Sequence, residues 1–241
     1  MIHIFLPAYN EERTIGKLIQ RLIEFRDETD LQINVIVVDD GSTDTTKRII
    51  EEFKGNMPIK IITHEKNKGL GGALKTGLLY ISSILKDKDI LITMDADNTH
   101  DPRIIRQMLD KIEEGYDVVI ASRYEKGGEE IGVPLLRKIL SRGASLVLRI
   151  LFPIKNVKDY TSGYRAFRAA ILKKLLDKYQ SNIIEESGFV CMTELLLKTK
   201  TIGAKIGEVA LPLRYDLKEG KSKMKIKKTI LQYIRLVYKF R

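Results

Sequence analysis

The chain has no tryptophan, one cysteine, three histidines and six prolines among 241 residues. Without tryptophan, an aromatic cage for a cationic ligand is not expected. Cys191 alone can form neither an internal disulfide nor a cysteine-based metal site, and a reducing compartment is its natural setting. His3, His64 and His100 are scattered, no Ser-His-Asp arrangement is legible, and no zinc-ligand spacing is present. No apolar run reaches the roughly 20 residues of a membrane-spanning helix. The longest, residues 144–154, is broken by Arg149 and Pro153. Met1 to Leu6 runs straight into a polar turn, unlike a secretory signal. Repeats, low-complexity tracts and linkers are missing as well. These absences predict a cytoplasmic chain without a transmembrane segment, built as one domain or one domain with an appendage.

What is present is an ordinary soluble composition, 44% hydrophobic and 31% charged, sufficient for a sizeable core. The net charge of +10 is uneven: residues 214–241 hold ten Lys or Arg against two acids, so +8 lies in this tail. A basic tail on a near-neutral body points to an anionic partner: membrane lipid, nucleic acid or a phosphorylated substrate.

Two periodicities alternate through the first half. Apolar runs at 2–6, 33–38, 59–62, 89–94 and 117–121 read as strands. Segments 11–25, 69–85 and 101–113 read as helices, and Ser42 stands where it would cap another. This alternation predicts an α/β fold, a mostly parallel sheet flanked by helices on both faces. Further on, 134–150 and 188–200 read as helices, 204–211 as a strand, 159–167 as a polar turn and 213–224 as a mobile charged loop. Residues 226–240 form an amphipathic C-terminal helix, with Ile226, Ile230, Ile234 and Val237 or Tyr238 on its apolar face. The expected division is a body over 1–212 with the basic loop and helix of 213–241 appended.

Ligands of such sheets bind beyond the carboxyl ends of the strands. Polar clusters fall there at 7–11, 39–44 and 95–100. Asp95 and Asp97, two apart in an extended segment, point to one side and can share a hard cation such as Mg²⁺, with substrate phosphates completing its shell. Taken alone, the pair could equally be solvated turn carboxylates. An acid ending the second strand can accept hydrogen bonds from ribose or base, while Asp40-Gly41 can also simply make a turn. Pro7 fixes the first turn, Tyr9 offers a stacking face and Glu11 lies near a helix N-terminus. The glycines of 67–72 suit either a tight turn or a close phosphate; neither a P-loop nor a G-x-G-x-x-G pattern is present. Arg123, Arg137, Arg165 and the basic loop offer cations to a phosphorylated substrate.

Taken together, Pro-x-Tyr-Asn-Glu at 7–11, Val-Val-Asp-Asp-Gly-Ser at 37–42, Asp-Ala-Asp at 95–97 and Ser-Arg-Tyr at 122–124 resemble family 2 glycosyltransferases of the GT-A (Rossmann-like) fold. The stretch Asp-Tyr-Thr-Ser-Gly-Tyr-Arg at 159–165, with Gly-Lys-Ser-Lys at 220–223, looks more narrowly like the dolichol-phosphate mannose synthases. The resemblance implies that Pro7, Tyr9, Glu11, Val38 and Asp40 hold the nucleotide, with Ala96 lining the site. It implies that Asp95 and Asp97 hold Mg²⁺ or Mn²⁺ and the diphosphate. Arg123, Arg137 and Ser141 would bind the acceptor phosphate, and Lys223 would close over the donor. Two positions depart from the pattern. Thr99 stands where some relatives carry a Gln metal ligand, and Leu217 where many carry an Arg, which makes Lys218 the substitute for diphosphate contact.

The implied reaction moves a hexose, mannose in the first instance, from GDP-mannose to a polyprenyl or dolichyl monophosphate with inversion. A phosphate monoester is largely ionised above pH ~6 and needs no strong base. A sugar hydroxyl acceptor would need one, with Glu194 or Asp159 as candidates. UDP-glucose as donor, or a glycan as acceptor, is the alternative within this class. A basic nucleic-acid binder is the alternative outside it, but no such motif is present and acidic clusters at three strand ends would serve no purpose there, so no nucleic-acid partner is expected. The basic tail predicts peripheral attachment to an anionic membrane surface on its cytoplasmic face, or to a small membrane partner protein.

Overall fold

Strands β1 (Ile2–Ala8) and β2 (Ile33–Asp39) carry apolar side chains on both faces, the pattern of strands covered by helices above and below. They lie beside β3 (Ile59–Thr63) and β4 (Ile90–Thr93) in the computed structural model, which describes residues 1–219 and 226–241. The sheet continues through β5 (Val118–Ser122), β7 (Arg165–Arg168) and β8 (Ile206–Ala210) in the order β3-β2-β1-β4-β7-β5-β8. Every pairing is parallel except those of β7, which runs antiparallel to β4 and β5. A second small sheet pairs β6 (Glu129–Ile131) with β9 (Pro212–Arg214).

Helices α1 (Ile15–Thr29), α2 (Thr46–Glu52) and α4 (Ile104–Glu113) belong to one face, α3 (Gly69–Ile84), α6 (Ala169–Tyr179) and α7 (Val190–Thr201) to the other. Each face has its own apolar core, and strand alternation divides β1 between them: Ile4 and Leu6 go to one, Phe5 to the other. The expected mostly parallel α/β sheet is therefore present.

Several local expectations change. Residues 159–167 are not only a polar turn, since their end begins the central strand β7, followed by α6. Four residues bounded by Arg165 and Arg168 give no apolar alternation, so the strand is invisible to periodicity. Ser42 does not cap α2; its Oγ accepts from the Asn10 N–H (3.0 Å), and Asp44 Oδ1 accepts from Thr46 N (3.0 Å) at that helix start. The segment read as a loop from 213 onward begins inside β9.

The C-terminal helix α8 (Ile226–Phe240) packs on α7, burying Gln232 and Leu236 with Tyr233, Val237 and Phe240 beside them. Its expected apolar face is a different one: Ile230, Ile234 and Tyr238 stay exposed, with Leu231. Helix α5 (Leu135–Leu151) is barely covered; of its 17 residues only Ser145 and Leu148 are buried. Leu135, Leu136, Ile139, Leu146, Val147 and Ile150 all face outward. Among the described residues no helix is long and apolar enough to cross a membrane.

Candidate active site

The carboxyl ends of β1, β2 and β4 open on a cleft with two adjoining chambers. The larger, about 630 Å³, is lined by Pro7, Tyr9, Glu11, Asp40 and Ala96 among others. The smaller, about 240 Å³, is lined by Arg123, Arg137 and Ser141. Asp95, Asp97, Phe189, Lys218 and Thr229 border both. The residues expected to hold a donor and those expected to hold an acceptor phosphate thus segregate into separate chambers that meet at the acidic pair. Two expected donor residues stand apart. Val38 is fully buried, facing the core beside Phe5 and Leu74, because it shares the inward side of β2 with Ile36. Lys223 lies outside the described residues.

Backbone-to-side-chain bonds tie the strand-end loops together. Asn10 sits in left-handed conformation (φ 50°), and its Oδ1 accepts from Thr43 N at 2.8 Å. Glu11 N donates to Thr46 Oγ1 (2.8 Å), and Thr14 Oγ1 donates to a Glu11 carboxylate oxygen (3.0 Å). Asp40 is more committed than the sequence suggests. Its Oδ1 accepts from Lys68 N (2.8 Å) and faces His64 Nδ1 (2.7 Å), while Oδ2 accepts from Gly69 N (2.8 Å). Asp40 thereby serves the first N–H groups of α3, which the glycines of 67–72 had offered as a phosphate site.

At the acidic pair, Asp97 is held from its own turn: Thr99 Oγ1 (2.7 Å) and Thr99 N (3.2 Å) both donate to Oδ1. Lys218 donates to Oδ2. Burial works to raise the Asp97 carboxyl, but the Lys218 ammonium and His100 outweigh it and hold it below the usual carboxylate range. Asp95 goes the other way. Burial pushes it up and the Asp97 charge adds to the push, against the pull of His100, Lys218 and Arg123. His100 Nδ1 accepts from Asp95 N (3.1 Å), which assigns the ring proton to Nε2, 3.9 Å from Asp95 Oδ2. The ring stacks on Tyr164 with centroids 4.9 Å apart.

The smaller chamber is built on Arg123. Its Nε and one terminal nitrogen each donate to Asp159 at 2.8 Å, and that nitrogen also reaches Thr161 Oγ1 at 2.6 Å. Burial disfavours the charge, but the Asp159 carboxylate outweighs it and raises the Arg123 pKa. Arg137 donates to the Tyr215 hydroxyl (2.7 Å), and Ser141 Oγ pairs with the Tyr124 hydroxyl (2.8 Å).

Three expectations fail on burial. Asp159 is fully buried and spends its oxygens on Arg123, Thr161 and Ser162, so it is a counterion and not a base. Glu194, also fully buried, accepts from Glu185 N (3.0 Å), Glu186 N (2.9 Å) and Lys198 Nζ (2.8 Å). Arg165 is buried beneath the site, donating to the carbonyls of Met192 (2.5 Å) and Tyr160 (3.1 Å), and cannot reach a substrate. Conversely, Phe189 and Thr229 line the site without having been singled out for it, and His64 supports it through Asp40. Thr99 carried a legible signal, since Asp-x-Thr is the spacing of a local side-chain turn. His64 and Phe189 meet their partners only through the fold.

The donor set fits a hard divalent ion. Two carboxylates share one cleft, and the one most deeply set already has an ammonium group on it, a stand-in for positive charge. Among the described residues no cluster of three or more His, Cys, Asp or Glu could cage a metal by protein alone. Mg²⁺ characteristically needs no such cage, since one or two carboxylates and substrate phosphates suffice.

The mostly parallel sheet and its covering helices are those of the GT-A class of glycosyltransferases. Residues 3–176 match the family model "Glycosyl transferase family 2", and the chain belongs to that family. It is 35% identical over 99% of its length to a dolichol-phosphate mannosyltransferase of Pyrococcus furiosus, of whose length it spans 63%. It is 33% identical over 91% of its length to an undecaprenyl-phosphate mannosyltransferase of Micrococcus luteus, covering 85% of that protein. Among solved structures, glucosyl-3-phosphoglycerate synthase of Mycobacterium tuberculosis, determined with Mn²⁺, UDP and phosphoglyceric acid, superposes with a TM-score of 0.66. That match covers 98% of this chain and 76% of the other at 22% identity, which establishes a shared fold.

Proposed function

We propose that this family 2 glycosyltransferase moves mannose from GDP-mannose to a polyprenyl monophosphate, with inversion at the anomeric carbon. The observation that carries the reading is the meeting of the two chambers at Asp95 and Asp97. One chamber has the size and lining of a nucleotide-sugar site; the other offers Arg123 and Arg137 beside apolar walls such as Leu140, Ala144 and Ile230. A lipid phosphate has those two characters, an anionic head and an apolar tail. The mannosyltransferase names of the relatives support the same reading.

In this arrangement Arg123 and Arg137 orient the acceptor phosphate. One of its oxygens attacks the anomeric carbon, the bond to the diphosphate oxygen breaks, and the electron pair leaves with the nucleoside diphosphate. No base is required, because the phosphate is already ionised at neutral pH, with its second pKa near ~6. This agrees with the commitment of Asp159 and Glu194 elsewhere. Asp95 and Asp97 would hold Mg²⁺ or Mn²⁺, which neutralises charge on the leaving diphosphate when bound. Lys218 adds a cation to the same edge, and α8 lines both chambers through Thr229.

Peripheral membrane attachment belongs to the same reading. The exposed apolar residues of α5 are interleaved with Arg137, Lys138, Arg142 and Arg149, and the exposed strip of α8 lies beside Lys227, Lys228 and Arg235. An interfacial helix needs an apolar face with flanking cations.

The test is direct. The purified chain is given Mn²⁺ with GDP-mannose or UDP-glucose, with and without a short-chain polyprenyl monophosphate in detergent. Mannolipid from GDP-mannose is expected. Lipid-linked sugar from UDP-glucose alone would reassign the donor, and no lipid-linked sugar from either donor would overturn the reading.

A further inference from the structure

The five residues that border both chambers are two carboxylates, an ammonium, a hydroxyl and one apolar ring, that of Phe189. The ring is 41% exposed, an unusual position for phenylalanine beside so much charge. The segment that leads into it, residues 185–187, is tied from three sides. Gly71 N of α3 donates to Ser187 O (3.1 Å); Glu194 of α7 accepts from Glu185 N and Glu186 N; Gln232 of α8 donates to Ser187 Oγ (3.3 Å) and Glu186 (3.4 Å). Gly71 is obligatory here, since a Cβ would stand 1.7 Å from Glu186 O. Three helices thus hold a short segment after which one apolar side chain stands at the junction of the two chambers, where the transfer reading places the anomeric carbon.

The principal competing reaction at that junction is hydrolysis. Water attacks the anomeric carbon, the bond to the diphosphate oxygen breaks, its electron pair leaves with the nucleoside diphosphate, and the attacking water gives its proton to solvent. Every other bordering group binds water well. We infer that Phe189 is a positioning residue that keeps water off the anomeric carbon and covers the apolar face of the hexose, so that donor cleavage is coupled to the acceptor. The inference rests on the transfer reading above.

The test compares full-length wild type, Phe189→Ala, Phe189→Ser and Phe189→Leu. Nucleoside diphosphate release from GDP-mannose is measured with and without the polyprenyl monophosphate, alongside thermal unfolding. Loss of the ring contact is expected to raise the ratio of hydrolysis to transfer roughly two- to tenfold in the Ala and Ser variants. Leu, which keeps apolar bulk, should stay near the wild-type ratio. An unchanged ratio in folded Ala or Ser variants overturns the inference, as does a Leu variant as leaky as Ala. Should the wild type itself turn over no nucleotide sugar under either condition, it is the transfer reading that fails.

Discussion

Asp159 is the counterion of Arg123, fully buried, with each carboxylate oxygen 2.8 Å from a guanidinium nitrogen. The sequence offered Asp159 as a base for a hydroxyl acceptor. The pairing shows that its charge is already spent on aiming a cation into the smaller chamber. Replacing it with Asn keeps the shape but leaves Arg123 buried without a bonded carboxylate, with Glu130 4.0 Å away. Removing one partner of a buried pair costs about 3–5 kcal/mol. Thermal unfolding of Asp159→Asn should fall on the order of 10 °C for a chain of this size.

The same pair sets a pH dependence. Burial pushes the Asp159 carboxyl up, but Arg123 and several N–H donors outweigh it, so the folded value lies below the ordinary 3.8. A depressed carboxyl contributes stability that is complete above the unfolded value and is lost as pH falls through the folded one. The gap in stability between wild type and Asp159→Asn should therefore be constant at neutral pH and close progressively below 3.8. A gap that persisted unchanged into stronger acid would mean that the pair contributes shape and not charge.

Thr99 departs from the Gln of some relatives, yet it is bonded twice to Asp97 Oδ1. It therefore orients Asp97, the proposed metal ligand, in place of being a ligand itself. Thr99→Val removes the hydroxyl bond and keeps the volume. Loss of such an orienting contact typically weakens metal binding about 10- to 100-fold. Titration of Mn²⁺ followed by electron paramagnetic resonance, in the presence of GDP, checks this without reference to turnover. Equal affinity in wild type and variant would remove Thr99 from the metal site.

How much of this was legible follows from where each signal resides. Four of the first five parallel strands announce themselves because burial on both faces makes their runs apolar, the half-buried edge strand β3 shows a shorter apolar run, and the clusters at 7–11, 39–44 and 95–100 mark the strand ends that share the cleft. The strand at 165–168 was hidden because its ends are arginines, and one of them, Arg165, donates to backbone carbonyls that no pattern reveals. His64 lies 24 residues from the Asp40 it faces, and Glu194 meets Lys239 of α8 across 45 residues at 3.1 Å. Residue types suggested a base at Glu194 and Asp159; only burial and partners show that both are structural counterions.

Gly71 and Gly143 form a matched pair. Both are interior to helices, but a Cβ at Gly71 collides with Glu186 O, whereas one at Gly143 meets nothing within 4 Å. Gly71→Ala should cost about 1–3 kcal/mol by overpacking, and because residues 186–189 move with it, the KM for donor should rise more than that for acceptor. Gly143→Ala should instead stabilise by about 0.5–1 kcal/mol through the unfolded chain. Urea unfolding of both variants decides the matter, and the two changes must differ in sign.

The outer face of α5 gives the sharpest test of membrane attachment, because its side chains can be changed without touching the core. Ile139 is 59% exposed and Ile150 70%, so replacing either with Glu should leave thermal unfolding within a degree or two. Burying such a side chain is worth about 1.5–3 kcal/mol, so the double variant Ile139→Glu/Ile150→Glu should lose at least about a hundredfold in partitioning to liposomes of anionic lipid. Charge gives the complementary arm. Lys and Arg near such a surface contribute about 1 kcal/mol each, so Lys138→Gln/Arg149→Gln should weaken flotation at low salt and behave like wild type at high salt. If both double variants float as wild type does, the α5 face does not dock on lipid. If the charge variant alone is impaired, the attachment is electrostatic and runs through the cations of α5, with the apolar row left to contact a protein partner within the membrane.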